Sequence, residues 1–194
     1  MTNLVPWMRL LWTSAALGGL VAGTVHAQEQ TTASESEEAE SDARYRLFVG
    51  DHAEGVVRAI ELEDGSSAGT FQIDHTPALT RSLSGRTVFA VQGEAGKVAV
   101  IDTGISLQDH GDHPDLEVEE AKLLPTTLTG TTPAHVVEGS GTIALFDDGT
   151  GDVALFAERD LLGDDFAPRG VQPGLAHHGL AAPMGRFLVV SVPD

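Results

Sequence analysis

Asp109-His110-Gly111-Asp112-His113-Pro114-Asp115 packs two imidazoles and three carboxylates into seven residues. Imidazole nitrogen and carboxylate oxygen are the ligands that zinc takes when no thiolate is on offer, and this chain has no cysteine. His110 and His113 stand three apart around Gly111. A bent loop with that spacing turns both rings toward one ion while Asp109, Asp112 or Asp115 supplies oxygen. Such a loop is exposed and polar, so it binds weakly and exchanges quickly. Copper and nickel accept the same donors, and the competing reading is a solvated acidic loop. The density of ligand-type residues weighs against that blander reading.

The elements that must position these groups are strands. Arg46-Leu47-Phe48-Val49, Thr87-Val88-Phe89-Ala90-Val91 and Phe187-Leu188-Val189-Val190-Ser191-Val192 are rich in β-branched and aromatic residues, with glycine- or aspartate-bearing turns between such runs. The runs also repeat. Phe48-Val49-Gly50-Asp51 followed by Gly55-Val56-Val57 recurs as Phe89-Ala90-Val91-Gln92 followed by Gly96-Lys97-Val98, a step of 41. A third copy ends in Phe146-Asp147 followed by Gly151-Asp152-Val153, a further step of 55. Thr76-Pro77-Ala78-Leu79 matches Thr132-Pro133-Ala134-His135 and, less closely, Gly174-Leu175-Ala176-His177.

Periods near 40 to 45 with four short strands each indicate an all-β fold, a β-propeller of four-stranded antiparallel blades. With strands lettered a to d, the second blade reads Leu79–Ser82, Thr87–Val91, Lys97–Asp102 and Leu123–Leu128. The third reads His135–Glu138, Thr142–Asp147, Asp152–Ala157 and a poorly patterned strand before Val171. The first blade lacks strand a and begins with b at Tyr45. The last has His177–Ala181 and Arg186–Val192. About three blades are therefore expected, with the ring incomplete, because closed propellers take about four to eight. The expectation is a fragment of a longer chain or a unit that associates to close its ring.

Strand a of a blade lines the channel, and the d–a and b–c loops share one rim. His135, His177 and His178 fall where a d–a loop enters strand a, and His52 falls in a b–c loop of the same rim. Convergent imidazoles with a carboxylate make a second candidate zinc site, against the alternative that each histidine bonds backbone in a turn. His75 lies near that rim and is left as background. The Asp-His-Gly-Asp-His segment follows strand c, on the opposite rim.

The remaining sequence sets the compartment. Residues 1–27 carry one charge, Arg9, then an apolar run from Leu10 to Val25 and a Val25-His26-Ala27 cleavage signal, the pattern of a secretory signal peptide. The run is broken by Gly18, Gly19 and Gly23 and falls short of the roughly 18 to 20 strongly apolar residues of a membrane span. No stable membrane insertion is expected once it is cleaved, and His26 leaves with it. Residues 28–43 hold no aliphatic side chain larger than alanine and read as a disordered acidic linker before the domain at 44–194. A net charge of -18 repels phosphate backbones, so no nucleic-acid partner is expected.

Taken together, Leu47-Phe48-Val49-Gly50-Asp51-His52, Phe89 to Val98, Asp109 to His113, Pro133-Ala134-His135 and Ala176-His177-His178-Gly179 resemble the periplasmic zinc metallochaperone AztD family. The resemblance covers about Arg44 to Asp194. It implies a β-propeller that binds Zn²⁺ in the periplasm and hands it to the solute-binding protein of a zinc ABC importer. It also implies a longer chain with ligands beyond residue 194. No enzyme activity is expected, since neither a Ser-His-Asp signature nor a Cys-x-x-Cys-His motif is present. The alternatives are a propeller enzyme of lactonase or quinoprotein-dehydrogenase type and a metal-independent interaction scaffold.

Overall fold

The alternating runs become fifteen strands in the computed structural model, which describes residues 44–73, 77–163, 166–174, 181–184 and 187–191. Segments 1–27 and 28–43, and with them His75, His177 and His178, lie outside the described residues. β1 (Arg46–Asp51), β2 (Val56–Glu61) and β3 (Ser67–Gln72) form one antiparallel sheet in that order. β4 (Ala78–Arg81), β5 (Thr87–Gln92), β6 (Lys97–Asp102) and β9 (Lys122–Thr129) form a second, four-stranded sheet. β7 (Ile105–Asp109) and β8 (Pro114–Val118) make a separate hairpin between β6 and β9. β10 (Pro133–Gly139), β11 (Thr142–Asp147), β12 (Asp152–Ala157) and β13 (Gly170–Gln172) form a third sheet, and β14 (Ala181–Met184) pairs with β15 (Phe187–Val190). No helix among the described residues is long and apolar enough to cross a membrane.

The repeat glycines set the turns. Gly55, Gly96 and Gly151 close the turns β1–β2, β5–β6 and β11–β12 with φ of 65°, 66° and 73°, a left-handed conformation that costs glycine little and other residues more. Each turn returns the chain for an in-register pairing such as Val91 opposite Val98 or Phe146 opposite Val153.

β5 is buried along its whole length. Its side chains alternate between two cores, as strand geometry requires. Val88 and Ala90 join Ile101 against Val57, Ala59, Phe71 and Ile73 of the first sheet and its edge. Phe89 and Val91 join Val98, Val100 and Leu128 against Val136, Ile143, Leu145 and Phe156 of the third. Each large side chain so buried contributes about 1.5 to 3 kcal/mol.

Two buried carboxylates tie the third sheet to the second. Glu138 is 4% exposed, and it accepts N–H bonds from Leu83 at 2.7 Å, Ser84 at 3.2 Å and Gly141 at 2.7 Å. Glu158 accepts hydroxyl bonds from Ser84 at 2.9 Å and Thr87 at 2.7 Å. Donors of this kind offset the cost of burying each carboxylate. At the opposite end of the sheets, Asp147 accepts from the backbone N–H groups of Thr131, Thr132 and Gly149, so it joins the β11–β12 turn to the β9–β10 loop.

The hairpin is held at its feet. Arg46, whose side chain is 3% exposed, pairs with Glu61 and donates to the carbonyls of Thr103 and Glu119, one at each foot. Asp102 accepts from Gly104 N–H at 2.9 Å and from Arg86 at 3.1 Å, and Glu119 N–H donates to Gly104 carbonyl at 2.7 Å. Gly104 has φ of 70°, and a Cβ there would overlap the carbonyl oxygens of Glu119 and Glu120.

Two elements differ from the sequence reading. The last described strand pair is Ala181–Met184 with Phe187–Val190, Met184 opposite Phe187. Residues 177–180, 186 and 192 of the expected pair His177–Ala181 and Arg186–Val192 lie outside the described residues. The segment read as a loop at Asp109–Asp115 is the tip of a hairpin whose strands take in Asp109, Pro114 and Asp115. A one-turn helix, α1 (Glu158–Leu161), follows β12 because Leu161 reaches the core and Glu158 the buried hydroxyls.

Replacing Gly104 with alanine should part the hairpin feet. The expected result is a loss of roughly 1 to 3 kcal/mol in urea unfolding, with faster exchange of the Glu119 amide while the β5 and β6 amides keep their protection.

Candidate metal sites

The hairpin tip is built by residues 110–113 between Asp109 and Pro114. His110 N–H donates to His113 carbonyl at 3.1 Å, and Gly111, with φ of 91°, turns the chain. Asp109 is spent on this turn, since its Oδ1 accepts Gly111 N–H at 2.8 Å. The turn sets the two imidazoles side by side, ring centres 5.9 Å apart and 27° from parallel.

Asp115 faces both rings. Its Oδ2 lies 3.4 Å from His110 Nε2 and its Oδ1 lies 3.4 Å from His113 Nε2. At these separations one carboxylate interacts directly with both imidazoles. Asp112 Oδ1 meets His113 Nδ1 at 2.9 Å, the kind of carboxylate contact that fixes the orientation of an imidazole. Both imidazoles stay half exposed, at 50% and 59%. Among the described residues no group of three or more histidine, aspartate or glutamate side chains is placed to hold a metal ion.

The other rim holds His135 and His52. His135 is the third residue of β10, just past a bulge, and lines a cavity of about 220 Å³ with Ala78, Leu79, Thr80, Val91 and Val137. No carboxylate or second imidazole joins it there among the described residues. His52 is exposed in the β1–β2 turn, with its ring near Gly50, close to where Pro77 also approaches. Of the expected channel-mouth set, then, the structure describes His52 and His135 at the same end of the sheets.

Spacing singles out neither Asp147 nor Asp152, and it names Asp115 only as one of three possible oxygen donors. Asp147 and Asp152 line a second cavity of about 320 Å³ with Thr129, Thr131 and Thr150. Partial burial pushes the Asp147 carboxyl up, but N–H donors from Thr132, Thr131, Gly149 and Thr150 outweigh it and hold the group below the usual carboxylate range. Those donors make Asp147 a turn staple, a role that the aspartate at the same repeat position, Asp51, shares through Ala53 and Glu54 N–H. The repeat itself carried that signal.

No family model matches the chain. It is 39% identical over 188 residues to the zinc chaperone AztD of Citrobacter koseri, a match covering 96% of this chain and 42% of that protein. Two solved structures of Citrobacter koseri AztD, one of them apo, align over 78% of this chain. Their TM-scores are 0.70 and 0.69, at 41% and 39% identity over 40% and 41% of their own length. The chain spans about two fifths of the length of the relatives it matches. Over that shared stretch, the chain is similar to AztD in both sequence and fold.

Proposed function

We propose that this protein carries Zn²⁺ in the periplasm and passes it to the solute-binding protein of a zinc ABC importer. The observation that carries the reading is the hairpin tip, where Asp115 stands 3.4 Å from each of two exposed imidazoles. The relative's name as a zinc chaperone supports binding and release over turnover. Residues 1–27 serve as the export signal, 28–43 as an acidic tether, and 44–194 as part of a β-propeller. Among the described residues the first sheet has three strands, and Leu47 and Val49 on its β1 edge are exposed.

Two sites divide the work in this reading. His135, with His52 at the same end of the sheets and with His177 and His178 as the repeat aligns them in sequence, holds zinc more tightly. His110, His113 and a carboxylate at the tip hold it loosely. An exposed tip releases metal by ligand substitution, one incoming imidazole or carboxylate replacing one outgoing ligand, so the ion is never free. Asp115, with Asp112 behind His113, is the carboxylate that the hairpin offers; Asp109 shapes the turn.

Zinc needs neutral imidazole, and protons compete for the same nitrogen. Zinc affinity should therefore fall at least tenfold between pH 7.5 and pH 5.5, through the range around 6.5 where histidine ordinarily protonates. Competition titration with a metal-sensitive dye checks this, and equal affinity at the two pH values would rule out histidine ligands. Replacing His110 and His113 with alanine should slow zinc transfer to an added chelator more than it lowers the zinc content of the purified protein. The reverse result would make the tip the principal site.

A further inference from the structure

The hairpin tip offers nitrogen and oxygen donors and little that fixes their geometry. Every residue from Leu107 to Asp115 is exposed, and none belongs to a core cluster. Two hydrogen bonds shape the tip, Gly111 N–H to Asp109 and His110 N–H to His113 carbonyl, and neither touches an imidazole. Asp112 stands beside His113 Nδ1, but among the described residues no carboxylate stands at His110 Nδ1. Asp115, which faces both rings, is itself 56% exposed. His135 is placed differently, in a cavity walled by Leu79, Val91 and Val137.

A protein overrides the ordinary order of metal affinities by holding its ligands in one geometry, with outer contacts on each of them. Where the ligands can swing, the ion imposes its own geometry and the ordinary order applies. For nitrogen and oxygen donors that order rises from Mn²⁺ to Cu²⁺ and falls back at Zn²⁺. Ca²⁺ takes about six to eight oxygen ligands and Mg²⁺ a strict octahedron of oxygens, which two imidazoles and one carboxylate do not supply.

We propose that the tip is a general site for divalent transition metals and takes Cu²⁺ in preference to Zn²⁺. The inference rests on the tip being the exchangeable zinc site and adds which ions can occupy it. His110, His113 and Asp115 rearrange around the ion they meet, tetragonally for Cu²⁺ and tetrahedrally for Zn²⁺. Selection for zinc is then made after the tip, by a walled site such as the one around His135 or by the acceptor.

The test compares the full-length protein with a His110→Ala/His113→Ala variant at pH 7.5. Zinc chloride is added alone first, and the ring-nitrogen signals of His110 and His113 report whether the tip takes it. An equal amount of copper(II) chloride follows, read by zinc release to a dye, by paramagnetic broadening of the two rings and by electron paramagnetic resonance. The expected result is displacement of zinc from the tip with an apparent affinity for Cu²⁺ at least tenfold higher. Both rings should broaden, and a copper signal with nitrogen ligands should appear that the variant lacks. Ca²⁺ or Mg²⁺ in large excess should leave the zinc in place. Zinc retained at the tip against equal Cu²⁺, zinc displaced by Ca²⁺, or a copper signal identical in parent and variant would overturn the proposal. Rings that ignore zinc but broaden with copper would refute the exchangeable zinc site and leave the preference for Cu²⁺ standing. Rings that answer to neither metal would refute both.

Discussion

Everything in this molecule depends on the second sheet having two apolar faces and no way to cover either alone. β5 supplies the constraint. Val88 and Ala90 point one way, Phe89 and Val91 the other, and all four are buried. The first and third sheets must therefore stack on either side, which fixes the order of the sheets along the chain. It also puts every β–β connection at one of two ends. The β11–β12 turn meets the β9–β10 loop at one end, as the Asp147 bonds show. The hairpin lies at the other end, beside the β4–β5 turn that Thr103 Oγ1 reaches through Gly85 carbonyl at 2.8 Å.

Charge is handled differently at the two depths. Inside, Glu138 and Glu158 are kept by fixed hydrogen-bond donors, and Arg46 spends its guanidinium on Glu61 and two carbonyls. These groups are committed to structure. At the hairpin tip the carboxylates and imidazoles are exposed and meet one another rather than backbone donors, Asp109 excepted. In the proposed function, these uncommitted groups are the ones that would bind and release the ion.

The sequence made much of this legible, and unevenly. Strands β6, β11 and β12 fall where the repeat put them because glycine and aspartate turns bound each one and an apolar alternation fills it. β13 is three residues long, with Val171 55% exposed, so no burial pattern marks it. The density of ligand-type residues in Asp109–Asp115 is a matter of composition and is visible in the sequence. Which aspartate stands by the rings was not, because it depends on hairpin register: Asp115 pairs with Gln108 on the polar face, while Asp109 turns back onto Gly111. The Arg46 clamp joins residues more than fifty positions apart, beyond the reach of any local pattern.

The central claim is that His110 and His113 hold one zinc ion between them. Two-bond proton–nitrogen NMR correlations of the imidazole rings test it most directly, followed during zinc addition at pH 7.5. The account predicts that the His110 and His113 ring nitrogens shift together, with one shared dependence on zinc, and that Asp115→Asn moves that dependence to higher zinc. Rings that stay unmoved while zinc binds elsewhere, or that respond at unrelated zinc levels, would contradict it.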